Sequence, residues 1–313
     1  MDSAWQQLLD RDGPILADGA MGTMLFAAGL EFGDPPELWN LEHPEIVRRV
    51  HRGYIEAGSA ILLTNTFGGN RLRLELHGRQ DRVEQLNRTA AILARVEADT
   101  AAGHAADAAA AVGSAPAPAR PVLVAGDIGP SGQIMATLGG TLTPEIARAA
   151  FAEQAAALAA GGVDLFWIET MSDLAEIAAA VQGVRDAAPD APIIATMSFD
   201  TRGHTMMGVT PEKAAMTLLD LGVQAVGGNC GNGPDELVPV IERMRAIRPD
   251  AVLVAKANAG IPQLVGTEAK YLTEPATMAE YAVRFRDAGA TIVGACCGST
   301  PIHLAAMRRA LGR

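Results

Sequence analysis

Short apolar runs recur along the chain. They are Ile15-Leu16-Ala17, Ala60-Ile61-Leu62-Leu63, Val122-Leu123-Val124-Ala125, Leu165-Phe166-Trp167-Ile168, Ile193-Ile194-Ala195, Ala225-Val226-Gly227, Val252-Leu253-Val254-Ala255 and Ile292-Val293. Runs this short and apolar on both faces are strands of a parallel sheet covered by helices. Between them the period lengthens. Ile46, Val47, Val50, Tyr54 and Ile55 fall at helical spacing, and Gly58 stops that helix. Further helices are expected over 82–98, 144–160, 174–187, 211–221, 236–247, 278–288 and from Pro301 onward, with a short leading helix within 1–13. Thr143-Pro144, Thr210-Pro211 and Thr300-Pro301 each place an N-cap hydroxyl before proline at the first helical position. Residues 200–207 read as a hairpin-like excursion.

Eight strand–helix units in 313 residues predict an α/β chain folded as a (β/α)8 TIM barrel. An open doubly wound sheet is the alternative, but the chain lacks the Gly-x-Gly-x-x-Gly turn of that class. The reading is one domain over 1–313, with a flexible, low-complexity Ala/Pro-rich insertion at 105–120.

Composition narrows the function. Net charge is −11 with no long basic block, which argues against nucleic acid and anionic membranes as partners. No apolar run reaches transmembrane length, and a cytoplasmic protein is expected. Three cysteines with no pairing pattern fit a reducing compartment. Aromatic residues are only 4% of the chain, so an aromatic ligand cage must be built from few of them. The composition leaves room for a homo-oligomer.

Polar groups stand where the apolar runs stop: Asp18, Thr64 and Asn65, Asp127, Glu169, Ser198, Asn229 with Cys230, Lys256 with Asn258, and Cys296 with Cys297. In a TIM barrel these ends share one mouth, where the active site lies. The cysteines admit two readings, as small core residues or as ligands. Cys230 follows the sixth strand and Cys296-Cys297 the eighth, so in a barrel their ends can converge on one ion. Three thiolates with an open fourth position are the ligand set of a catalytic Zn2+. Such a metal deprotonates a substrate thiol, whose free pKa is near ~8.5. The thiolate can then attack a methyl carbon in line. None of the six histidines stands beside a strand-end nucleophile, which weakens a hydrolase reading.

The segments Asp18-Gly19-Ala20-Met21-Gly22-Thr23, Thr64-Asn65-Thr66-Phe67, Gly228-Asn229-Cys230-Gly231 and Gly294-Ala295-Cys296-Cys297-Gly298-Ser299-Thr300-Pro301 resemble the homocysteine S-methyltransferase family. That family includes the homocysteine domain of cobalamin-dependent methionine synthase and the betaine–homocysteine methyltransferases. The resemblance runs from about Pro14 to Leu311. It implies a TIM barrel and zinc on Cys230, Cys296 and Cys297. It implies that Asp18 and Glu169 hold the homocysteine amino group, that the 19–23 turn (Gly19, Ala20, Met21, Gly22, Thr23) receives its carboxylate, and that Asn229 assists. Asp18 also reads as a turn-stabilising residue, Asn229 as a partner for backbone groups, and Lys256 as an interior ion-pair residue.

The resemblance also bears on the methyl donor. The 313 residues hold no second half for a corrinoid or folate, so a complete methionine synthase is not expected, and the resemblance is to the free-standing bacterial proteins classed as betaine–homocysteine methyltransferases. Glycine betaine is the first donor, with Trp39 and Phe67 as its aromatic contacts and Phe26 and Phe32 near Trp39 in sequence. The chain departs from the animal-type betaine enzymes at Thr66-Phe67-Gly68-Gly69, where a glycine stands in place of their donor-site tyrosine. The alternatives are another onium such as S-methylmethionine, a methylcorrinoid protein partner in a split methionine synthase, and a non-catalytic zinc- or thiol-binding barrel.

Overall fold

The computed structural model describes residues 3–111, 121–265 and 268–312. Among them, eight parallel strands form a ring: β1 (Ile15–Leu16), β2 (Ile61–Leu63), β3 (Leu123–Ile128), β4 (Leu165–Met171), β5 (Ile193–Met197), β6 (Ala225–Cys230), β7 (Leu253–Ala257) and β8 (Ile292–Ala295). Successive strands from β2 to β8 are neighbours, and β8 pairs with β1. The seam between β1 and β2 is closed by one bridge, Ala17 to Ile61, and by the Ala60 N–H on the Leu16 carbonyl at 2.7 Å. This is the TIM barrel that the apolar runs predict.

Strand alternation sorts the side chains into two cores. Ile15, Ile61, Leu63, Leu123, Ala125, Leu165, Trp167, Ile194, Val254 and Ile292 fill the inside of the ring. The intervening residues, such as Leu62, Phe166, Ile168, Ala195, Val226 and Val293, pack beneath the helices. Each large apolar side chain so buried contributes about 1.5–3 kcal/mol. Trp5 and Leu8 of the leading helix (Ala4–Leu9) join the inner cluster. Arg11 donates to the Pro121 carbonyl at 3.0 Å, so this segment plugs the N-terminal end of the barrel. The inside is therefore packed at that end.

The threonine–proline starts cap helices as expected. Thr143 Oγ1 accepts from the Ile146 N–H at 3.4 Å, and Thr210 Oγ1 from the Lys213 N–H at 3.2 Å. Thr300 donates its N–H to His303 Nδ1 at 3.2 Å. In the 200–207 excursion, Thr201 and His204 exchange backbone hydrogen bonds at 3.0 and 3.1 Å. One helix is longer than predicted, running from Val83 to Ala111 where 82–98 was expected. Alanine is the best helix former, so the Ala-rich start of the predicted insertion continues the helix; its remaining residues, 112–120, lie outside the described residues. Short helices at Gly22–Ala27, Trp39–Glu42 and Arg71–Glu75, and the hairpin of Gln263–Val265 with Glu268–Lys270, have no counterpart in the predicted pattern. Among the described residues no helix is long and apolar enough to cross a membrane.

Candidate active site

The inward-facing positions turn polar at the C-terminal ends of the strands. Register sets Asn229 of β6 and Gly294 of β8 on either side of Lys256 of β7, and Asp127 of β3 beside Trp167 of β4. Above this layer lies a cavity of about 420 Å³. Asp18, Asp127, Glu169, Lys256 and all three cysteines line it, together with the 19–23 turn, Phe26, Phe32 and Phe67.

The three cysteine sulphurs lie within 4.8 Å of one another. Cys230 Sγ is 2.8 Å from Cys296 Sγ and 4.0 Å from Cys297 Sγ. A tetrahedral zinc with Zn–S bonds of about 2.3 Å sets its sulphurs about 3.8 Å apart, between those two values. No histidine, carboxylate or further cysteine joins the cluster among the described residues. The donor set thus fits a soft metal with one position facing the cavity. Hydrogen bonds from Cys230, then Cys296 and then the Tyr271 hydroxyl push the Cys297 thiol down, against burial, which pushes it up. Tyr271 follows the 263–270 hairpin and packs against Gly298, which has φ +81° and where a Cβ would stand 2.1 Å from the tyrosine Cγ. Only glycine fits the loop that carries the cysteine pair.

Beside the sulphurs lies a buried floor of three carboxyls and one amine. Lys256 Nζ is 3.0 Å from Asp18 Oδ1 and 3.9 Å from Glu169 Oε2, and it lies 5.4 Å from the Trp167 ring centroid. Asp18 Oδ2 accepts the Leu63 N–H at 2.8 Å. Burial raises the Asp18 carboxyl, with Lys256 opposing, and pushes Glu169 up to about 8. It also raises Asp127, with repulsion from Glu169 adding to the effect. Burial works against the Lys256 charge, but Asp18 and Glu169 hold its pKa above the usual lysine range. The interior ion pair read for Lys256 from the sequence is observed.

Asn229 ties the floor to the cysteines. Its Oδ1 accepts from the Thr170 N–H at 2.8 Å and the Thr196 hydroxyl at 2.7 Å. Its Nδ2 donates to Thr170 Oγ1 at 2.7 Å and to Glu169 Oε2 at 3.4 Å. These bonds hold Thr170 at φ +61°, next to Glu169, while Cys230 sits at φ +56°. Left-handed backbone at a non-glycine residue costs on the order of 1–3 kcal/mol and persists only where neighbours impose it. The Asn229 amide is thus fully occupied by protein groups.

The 19–23 turn is fastened to the cysteine loop. Ala20 donates its N–H to Ser299 Oγ at 3.0 Å, and Gly298 donates to Thr23 Oγ1 at 3.2 Å. The turn leads into Gly22–Ala27, whose first N–H groups have no partner within the helix. Phe67 lines the cavity. Trp39 is 8% exposed, its ring lies tilted at 60° against that of His43 with centroids 4.6 Å apart, and it does not line the cavity. Sequence reasoning singled out neither Tyr271 nor Ser299. Tyr271 had no signal beyond its place in an unassigned connection, whereas Ser299 lay within the cysteine motif.

The chain was compared with known proteins. The family model for homocysteine S-methyltransferase matches residues 15–311. Methionine synthase from Mycobacterium tuberculosis is 34% identical over 303 residues, and that from Mycobacterium leprae 32% over 312. These matches take in 93% and 96% of this chain, but the chain spans only 24% of the length of either relative. Among solved structures, the metallated form of the homocysteine methyltransferase MmuM from Escherichia coli superposes with a TM-score of 0.77 at 25% identity, covering 98% of this chain and 99% of that one. The match of nearly the whole chain, on a barrel whose mouth gathers the three cysteines, establishes that this chain belongs to the homocysteine S-methyltransferase family, whose enzymes transfer a methyl group to a thiol.

Proposed function

We propose that the protein makes methionine from homocysteine at a zinc ion held by Cys230, Cys296 and Cys297, with a small onium compound, glycine betaine first, as methyl donor. The observation that carries this reading is the convergence of three sulphurs on an acid-floored cavity. When bound, zinc supplies the acidity that keeps the substrate sulphur a thiolate at neutral pH. The chain's own residues do the rest. The acidic floor draws in the amino group of homocysteine. The free N–H groups of the 19–23 turn, at Gly22 and Thr23, offer donors for its carboxylate. Asn229 keeps Glu169 and Cys230 in register. The substrate thiolate then attacks the donor methyl carbon. The new S–C bond forms as the methyl–nitrogen bond breaks, and its electron pair leaves with the amine. Phe67 supplies an aromatic face toward the cationic donor. Trp39, buried against His43, gives this donor no support.

Two observations favour a second reading, in which a methylcorrinoid protein delivers the methyl group. The relatives are methionine synthases about four times the length of this chain. Loops at the mouth also carry exposed apolar side chains, including Phe32, Met206, Ile261 and Leu272. The test is methionine formation by zinc-loaded protein from homocysteine and glycine betaine without corrinoid. Turnover establishes the first reading. Turnover only with S-methylmethionine keeps an onium donor and removes betaine. Turnover only with a methylcorrinoid protein establishes the second.

A further inference from the structure

The cavity has a wall across from Cys230. In the ring of eight, β2 lies four places from β6, so the segment after β2 stands on the other side of the chamber from the end of β6. Phe67 and Arg73 line the cavity from that segment, and Phe32, Asp34 and Glu37 join them from the connection between β1 and β2. This wall therefore carries aromatic faces and both signs of charge. Arg73 is half-buried on the short helix Arg71–Glu75, with its N–H held by Asn70 Oδ1 at 2.9 Å. Two glycines seat its side chain. A Cβ at Gly68 would stand 3.2 Å from Arg73 Cγ, and one at Gly132 only 2.7 Å from Nη1. Yet among the described residues the guanidinium takes no hydrogen bond and no salt bridge from the protein. Glu37, the buried acid of the wall, turns Oε1 to the Gly68 N–H at 2.6 Å instead.

Resting on the onium-donor reading above, we propose that Arg73 receives a carboxylate carried by the methyl donor, so that the wall selects a zwitterionic onium over a plain cation. Two arguments lead there. Attack at a methyl carbon is in line, so the leaving group points away from the sulphurs and toward the opposite wall. What stands on that wall therefore reads the part of the donor that does not react. A guanidinium is a planar fork of five N–H donors that matches a carboxylate in two parallel hydrogen bonds. Left half-buried without a partner it is costly, and an anionic ligand removes that cost. The acids and phenylalanines of the same wall suit the cationic end of such a donor. A donor without a carboxylate, such as choline, would leave the guanidinium unpaired.

The test is Arg73→Met, which keeps the stem and removes the charged fork. Zinc-loaded wild-type and variant proteins, saturated with homocysteine, are titrated by calorimetry with two amines that cannot donate a methyl. One is dimethylglycine, the amine that leaves from glycine betaine; the other is N,N-dimethylethanolamine, which has a hydroxyl in place of the carboxylate. Hydrogen bonds to charged groups correspond to about 10- to 100-fold in affinity. Dimethylglycine should weaken by that factor in the variant. N,N-dimethylethanolamine, and homocysteine titrated alone, should stay within about threefold, which a general loss of structure would not allow. Arg73→Lys keeps the charge without the fork and should recover part of the lost affinity. Equal binding of the two amines to wild type, or equal weakening of both in Arg73→Met, overturns the proposal. Wild-type protein that binds homocysteine but neither amine overturns it too and leaves the homocysteine reading standing. Failure to bind homocysteine overturns that reading, and the proposal with it.

Discussion

Replacing Lys256 with methionine keeps most of the side-chain volume and deletes the floor's only cation. Asp18 would keep the Leu63 N–H but lose the amine at 3.0 Å, and Glu169 would lose its cation at 3.9 Å. Removing one partner of a buried pair costs roughly 3–5 kcal/mol. The loss depends on pH. Burial raises the folded-state pKa of Asp18 and Glu169, that of Glu169 to about 8. A carboxyl raised in the folded state contributes stability that is fully present below its unfolded pKa, near ~4, and is lost as pH rises through the folded value. Lys256 opposes that loss, so its removal matters least in acid and most in base. At roughly 2–4 °C per kcal/mol, Lys256→Met should melt about 6–20 °C below wild type at pH 8.5, with a much smaller gap at pH 5. Scanning calorimetry on the metal-free proteins keeps metal release out of the comparison. An unchanged gap at both pH values, or none at pH 8.5, would refute the electrostatic account of the floor.

Cys296→Ser should lower bound metal, measured by atomic emission, and abolish methyl transfer; an active, metal-free variant would contradict the proposed chemistry. Gly298→Ala should destabilise by about 1–3 kcal/mol in urea titration, because φ is +81° and the new methyl meets the Tyr271 ring. Hydrogen bonds from Arg243, at 2.6 and 2.8 Å, bring Glu212 down to about 2. The stability from that half-exposed pair is present above the unfolded glutamate pKa and drains away as pH falls toward 2, so Arg243→Ala should cost at most about 1 kcal/mol at pH 7 and nothing near pH 2.

The barrel was legible because its signals are local and repeated. Strands such as Leu62 and Phe166 are apolar on both faces, and the Thr-Pro pairs mark helix starts. The cysteines were legible because they end strands, which a barrel gathers. What stayed hidden depends on distant partners. Asp18 and Lys256 lie far apart in sequence, and nothing in either neighbourhood says that one takes up the other. Asp127 looks like any strand-end acid until its missing donor is seen. Trp39 reads as an aromatic contact for the donor, although the fold packs it against His43. The Ala-rich stretch after Ala98 shows how low complexity and helix propensity give opposite readings of the same residues.

The seam of the ring rests on a two-residue strand and a single bridge. Asp18, just past that strand, grips three neighbours: Leu63 at the end of β2, Lys256 on β7 and, through its own carbonyl, the Ala295 N–H on β8 at 3.1 Å. The barrel is therefore riveted at its weakest joint by a residue of the substrate chamber. Breathing of the whole ring and the charge state of the chamber are then one coupled quantity. Amide exchange at Ala60 and Leu63, on the far side of the joint, becomes a gauge of what occupies the chamber.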